Sequence, residues 1–290
     1  MAIVLALVTA ASFGVADFCG GLASRRATAL QVVAGSHVVG GIGVVIASLV
    51  LAERFDGSDA VLGVLGGACG MIGVILLYRR LAAGPMSVVA PLTGVTSAVV
   101  PAVWGLAGGE RLGVLGLVGL LVGLLAVLLV SLTPDGGRSG DRSQPVTAQV
   151  VLESLAAGLG FGTLFIFFDA TSGVSSPWPV ATARIFTSSL LVATLVVLAR
   201  LAGSPAREIV PRRGRVLALI AGAGLADTLA NVTFLTATEE GQLAVVSVLS
   251  SLYPISTVLL ARVVLSERMT RPQGLGFLCA LAATVLLTIG

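Results

Sequence analysis

The chain has no lysine, one histidine, three cysteines, two tyrosines and two tryptophans, and only 11% of its 290 residues are charged. Each shortage excludes something. A soluble domain carries about twice that charged fraction, so there is too little polar surface here to cover a water-facing globule. All 17 basic residues are arginine and the net charge is +3, with no basic patch interleaved with aromatics. That pattern speaks against a nucleic-acid partner. Cys19, Cys69 and Cys279 are scattered through apolar segments. They form neither a disulfide framework nor a metal-ligand spacing and are expected to be small packing residues. With one histidine, no His-Glu-x-x-His and no cysteine pair, a nucleophile–base set or metal cluster is missing. No metal and no cofactor are expected. A glycine-rich nucleotide loop is also missing, so ATP does not supply energy within this chain. There is no ring of like charges or filter-like loop to suggest a channel.

What is present is apolar sequence. Hydrophobic residues make up 56% of the chain, glycine contributes 37 residues, and the mean hydropathy is +1.06. A helical membrane span needs about 20 mostly apolar residues. Ten segments qualify: 2–22, 30–52, 60–80, 86–107, 112–132, 148–171, 178–200, 214–236, 243–265 and 272–290. Each is too long and too apolar for a barrel strand, so the expected fold class is an all-α membrane protein. Abundant glycine lets such helices approach closely in lipid. The polar stretch 133–147 reads as a linker, and 203–215 is a second arginine- and proline-bearing loop. The first apolar segment has no basic region before it and resembles a later one, so it is expected to remain in the mature protein.

The two halves repeat. A shift of 157 places Gly84 on Gly241, Val88-Val89 on Val245-Val246, Leu92 on Leu249, Glu110-Arg111 on Glu267-Arg268, and Gly119 on Gly276. Upstream, a shift of 148 places Phe13-Gly14 on Phe161-Gly162, and a shift of 147 places His37 on Arg184. Five spans is an odd number, so the second copy lies inverted relative to the first. Inverted repeats are a recurrent carrier architecture, with the solute site near the midplane between the halves.

The run Ala83-Gly84-Pro85-Met86-Ser87-Val88-Val89-Ala90-Pro91-Leu92, followed by Glu110-Arg111, resembles the EamA-like branch of the drug/metabolite transporter superfamily. The second copy, Gly241 to Tyr253-Pro254 and then Glu267-Arg268, has the same pattern. The resemblance covers nearly the whole chain. It implies an EamA-like five-helix repeat at 1–132 and another at 148–290, joined by the linker 133–147. It also implies ten transmembrane helices, the bacterial inner membrane, and export of amino acids, other metabolites or toxic compounds. Orientation is left with two answers. The loops of one side hold 14 of the 17 arginines, which puts them in the cytoplasm and both termini outside. The resemblance implies the reverse.

Ionisable groups at membrane depth usually face a cavity or a partner. Asp227 lies mid-span, with Asn231 at i+4 and Phe234 at i+7 on the same face. The carboxylate suits a bound cation or an exchanged proton, or else a structural ion pair. Arg184 is placed to hold an anionic group of the solute or to pair with Asp227. His37 suits a proton relay, or simple packing. Asp17 either lines the cavity or pairs with Arg25 near the interface. Tyr78, Trp104 and Tyr253 are rare aromatics and candidate cavity walls. Pro91 with Pro101, and Pro254 after Tyr253, mark two equivalent spans as interrupted, which in carriers points to the transport site. Glu153, Asp169, Glu239, Glu240 and the two Glu-Arg pairs read as helix-end charges. Spans 5 and 10 are expected to face lipid. The reading is an alternating-access carrier of a small polar or amphipathic solute, with proton coupling through a carboxylate. The alternatives are a membrane-embedded assembly subunit and, less well supported, a membrane enzyme. Monomer and homodimer are both open.

Overall fold

Ten apolar segments predict helices because backbone groups in lipid must be satisfied within the segment. The computed structural model is helical throughout and describes residues 1–83, 86–131, 147–202, 211, 214–265 and 271–289. Among them are eleven helices and no strand: α1 (Ala2–Ser24), α2 (Ala29–Leu51), α3 (Gly57–Ala83), α4 (Met86–Ala107), α5 (Val114–Ser131), α6 (Ala148–Asp169), α7 (Trp178–Leu201), α8 (Gly214–Glu240), α9 (Leu243–Ser250), α10 (Tyr253–Leu265) and α11 (Arg271–Ile289). Gly84-Pro85, Glu267-Arg268 and the linker 133–146 lie outside the described residues.

Eight stretches are long and apolar enough to cross a membrane, and one of them, Leu243–Leu260, runs through the α9–α10 boundary. Leu92–Ala107 and Val114–Val130 are apolar but shorter. Large apolar side chains stand exposed along the outside, as on α5 (Val114, Leu121) and α11 (Leu278, Val285). In water that surface would be a liability; in lipid it is the outer wall.

Local signals set several helix ends. Thr28 and Gln31 form a reciprocal capping box at α2, and Thr147 accepts from Val150 N at the start of α6. The interruption predicted at Tyr253-Pro254 is real but falls just before it, at Ser251 and Leu252. Pro254 has no N–H for the Ser250 carbonyl, so the chain restarts as α10 with proline in its first turn. The matching break in the other proline-bearing span does not occur. α4 is helical through both Pro91 and Pro101, and the side chain of Pro91 is outside what the structure describes.

Helices pack in exchanged pairs. α1 lies along α8 and α10, while α6 lies along α3 and α4. α2 packs on α8 and α7, while α7 packs on α3 and α2; α4 meets α9, and α5 runs along α11. Small residues permit these approaches. A Cβ on Gly162 would come within 2.8 Å of Val100 on α4, and one on Gly14 would collide with Ser256 on α10. A Cβ on Gly67 of α3 would sit 2.7 Å from that of Ala183 on α7. Charged ends add ties between the two halves of the chain. Arg80 on α3 grips Glu153 on α6 through two bonds of 2.6 Å. Glu110, after α4, accepts from Leu243 N at 2.6 Å and Ala244 N at 2.9 Å and so caps α9.

Candidate functional site

In the middle of the bundle is a cavity of about 80 Å³. A single water takes roughly 10–15 Å³ by the same measure, so the space suits several waters or one small solute. Its walls come from α1, α2, α3, α4, α6, α7, α8 and α10, and none from α5 or α11. Most of the wall is aliphatic or aromatic. The ionisable acid, guanidinium and imidazole groups are few and arise on four helices, α1, α2, α7 and α8.

Arg184 leaves α7 with its side chain only 9% exposed. Its Nη2 donates to Oδ2 of Asp227 on α8, and its Nη1 lies 2.9 Å from Nε2 of His37 on α2. A guanidinium only donates, so His37 Nε2 must carry the lone pair and Nδ1 the hydrogen. Nδ1–H then donates to Thr187 Oγ1 at 2.8 Å, and the Thr187 hydroxyl donates to the carbonyl of Ala183 at 2.8 Å. The chain of bonds runs one way, and it holds His37 as a neutral imidazole. Asn231 completes the group: its amide donates to the Asp227 carbonyl at 2.7 Å and to Oδ1 at 3.3 Å. The Nε–H of Arg184 is buried without a partner among the described residues.

Asp17 of α1 lines the same cavity. It lies within electrostatic reach of Asp227, Tyr78 and Tyr253. Among the described residues it makes no ion pair, so the expected alternative of a bond to Arg25 is not formed. Taking His37 as neutral, the cavity holds two carboxylates and one guanidinium.

The structure therefore brings Asp17, His37, Arg184, Asp227, Asn231, Tyr78 and Tyr253 to one cavity. Phe234 stands behind it, fully buried and stacked on the cavity-lining Phe165 with ring centroids 4.0 Å apart. Pro254 is buried at the start of α10, next to Tyr253. Trp104 does not belong: it is 60% exposed toward the end of α4 and faces outward. A tryptophan near a span end is at home at the membrane interface, which explains its position better than a cavity role. Sequence reasoning missed Thr187 and Asp59. Asp59, 2% exposed at the first turn of α3, accepts from Ser172 N at 3.0 Å and from the hydroxyls of Ser172 and Ser175, each at 2.6 Å. It ties α3 to the α6–α7 loop. The signal available for it was an acidic residue in a helix's first turn, which does not name a partner.

Comparison with known proteins agrees with the geometry. The model of the EamA-like transporter family matches residues 149–289. No curated protein matches the sequence. One solved crystal structure superposes with a TM-score of 0.73, covering 97% of this chain and 96% of its own at 18% identity, which is a likeness of fold. With its array of apolar helices the chain is a multi-pass membrane protein, and its residues 149–289 match the EamA-like transporter family.

Proposed function

We propose that the protein is an alternating-access exporter of small polar or amphipathic metabolites, amino acids among them, in the bacterial inner membrane. Its ten spans form two inverted five-helix repeats, 1–132 and 148–290, and the solute occupies the cavity between them. The observation that carries this reading is the buried polar chain His37–Arg184–Asp227 in a cavity walled by both halves. Packing alone does not require such a chain, because a buried pair costs as much in desolvation as it returns. The exchanged packing of α1 on α8 with α6 on α3, and of α2 on α8 with α7 on α3, supports the inverted repeat.

The His37–Arg184 bond joins the halves, whereas Arg184–Asp227 lies within the second. Rocking of one half against the other changes the first and leaves the second to travel as a unit. A solute seated near Asp227, Asn231 and Arg184 then competes for these groups, and a proton exchanged on a carboxylate couples to its release. The α5–α11 pair is the static outer support.

The test is solute-driven proton flux in liposomes holding the purified protein, across a panel of amino acids and toxic organic cations, with Asp227→Asn beside the wild type. Flux that requires a particular solute and disappears in the variant is expected. Flux unchanged in the variant removes Asp227 from coupling, and no flux with any solute overturns the carrier reading.

A further inference from the structure

Asp227 is already matched by Arg184 and Asn231; Asp17 is not matched by anything described. The chain owns only two tyrosines, and both line this cavity within electrostatic reach of Asp17. Neither tyrosine hydroxyl makes a hydrogen bond among the described residues. Phe13, one turn before Asp17 on α1, meets Tyr253 edge-on at 6.3 Å between centroids and Phe165 at 6.1 Å. Phe161 adds a further ring to the wall.

A carboxylate without a counter-ion, set among aromatic faces, has a defined complement. Ring faces attract cations and repel anions, and a phenol hydroxyl can accept from an ammonium N–H. An unpaired buried carboxylate is costly and a cation relieves that cost. With both carboxylates ionised the cavity carries one excess negative charge, which disfavours a solute whose only charge is a carboxylate.

We infer that the cavity binds a small organic ammonium ion, its nitrogen against Asp17 and the Tyr78 and Tyr253 hydroxyls, and its apolar part against Phe13, Phe161 and Phe165. This deepens the carrier reading by naming the solute's charge and the residue that receives it, and it rests on taking this cavity as the solute site. The solute's ammonium group sits on α1, which packs along the α8 that carries Asp227. A carboxylate elsewhere on the same solute has the unpartnered Nε–H of Arg184 available to it.

Titration calorimetry on the full chain in lipid nanodiscs tests this with three ligands of one shape: phenethylamine, 2-phenylethanol and 3-phenylpropionate. The amine is expected to bind at least about tenfold more tightly than the other two. Asp17→Asn loses that preference, Asp17→Glu keeps it, and Tyr253→Phe weakens the amine by about threefold. Equal binding of the alcohol or the carboxylate by the wild type overturns the inference, as does an Asp17→Asn protein that retains the amine. If Asp17→Asn does not fold, the three ligands on wild type and Tyr253→Phe decide the matter. Flux of carboxylates in liposomes without amine binding sinks the ammonium site and keeps the carrier. Amine binding without flux does the opposite.

Discussion

A guanidinium and a carboxylate taken into a bundle together are costly, and removing either one alone is costlier still. Breaking a buried pair leaves an uncompensated charge and costs about 3–5 kcal/mol. Arg184→Leu should therefore lower the thermal stability of the purified protein sharply, and the double variant Arg184→Leu/Asp227→Leu should recover most of the loss. Melting curves in detergent check this. A double variant as unstable as the single one would mean that the pair is not the reason for the cost. Thr187 offers a finer probe. Thr187→Val takes the acceptor from His37 Nδ1–H and should cost about 1–3 kcal/mol, whereas Thr187→Ser should stay near wild type. Rarity made the main polar residues legible in sequence: Asp227 with Asn231 one turn on, the lone histidine, an arginine inside an apolar span. Thr187 was illegible because threonine hydroxyls in apolar helices commonly bond the carbonyl four residues back, as Thr96 and Thr194 do here. Thr187 does the same, and its role lies in the lone pair it still offers to His37.

Helix ends carry the next level of information. The Glu-Arg pairs were legible as repeated helix-end charges, but not what the first of them holds. Glu110 closes α9, a helix more than 130 residues later in the chain. Removing a cap costs about 0.5–2 kcal/mol, and a charged acceptor on two backbone N–H groups stands at the upper end. Glu110→Ala should destabilise the protein by that amount and raise amide exchange at residues 243–246, while Arg111→Ala should not. Unchanged exchange in Glu110→Ala would make the cap incidental. Prolines were legible as positions, not as outcomes. Pro254 ends up in the first turn of α10 after a break, whereas Pro91 and Pro101 sit inside an unbroken α4. Whether a proline breaks a buried helix depends on which neighbours take up the freed carbonyl, and those neighbours come from distant sequence.

Across the whole molecule, the loops sort to two ends. The N-terminal amine lies 3.8 Å from Glu240 at the end of α8, and Glu110 meets the start of α9. The N-terminus and the α4–α5 and α8–α9 connections therefore share one end. Among the described residues the opposite end holds Arg25, Arg26 and Arg200, and Arg80, which is spent on Glu153. Retention of the arginine-rich loops in the cytoplasm predicts that a reporter fused after Gly290 is active only outside the cytoplasm; activity inside would reverse the orientation. Hydropathy made the helical class legible, and the place of spans 5 and 10 away from the cavity with large apolar side chains exposed. It could not supply which helix packs on which, because nearly every face is apolar and the choice is made by small residues such as Gly14, Gly67 and Gly162 meeting a partner.

The exchanged packing has a consequence for how the protein is made. α1 has its main neighbour in α8, α3 in α6, and α5 in α11. A ribosome adding roughly 5–20 residues per second delivers the first five helices to the membrane well before their partners exist. Those helices must wait in lipid with small-residue grooves unfilled and with Asp59 and Arg80 lacking the second-half partners they hold in the folded protein. A chain stopped after residue 132 should therefore be cleared by membrane quality control. Supplying 148–290 as a separate polypeptide in the same cell should rescue it, and a pulse-chase of the two fragments, alone and together, reads this as a half-life.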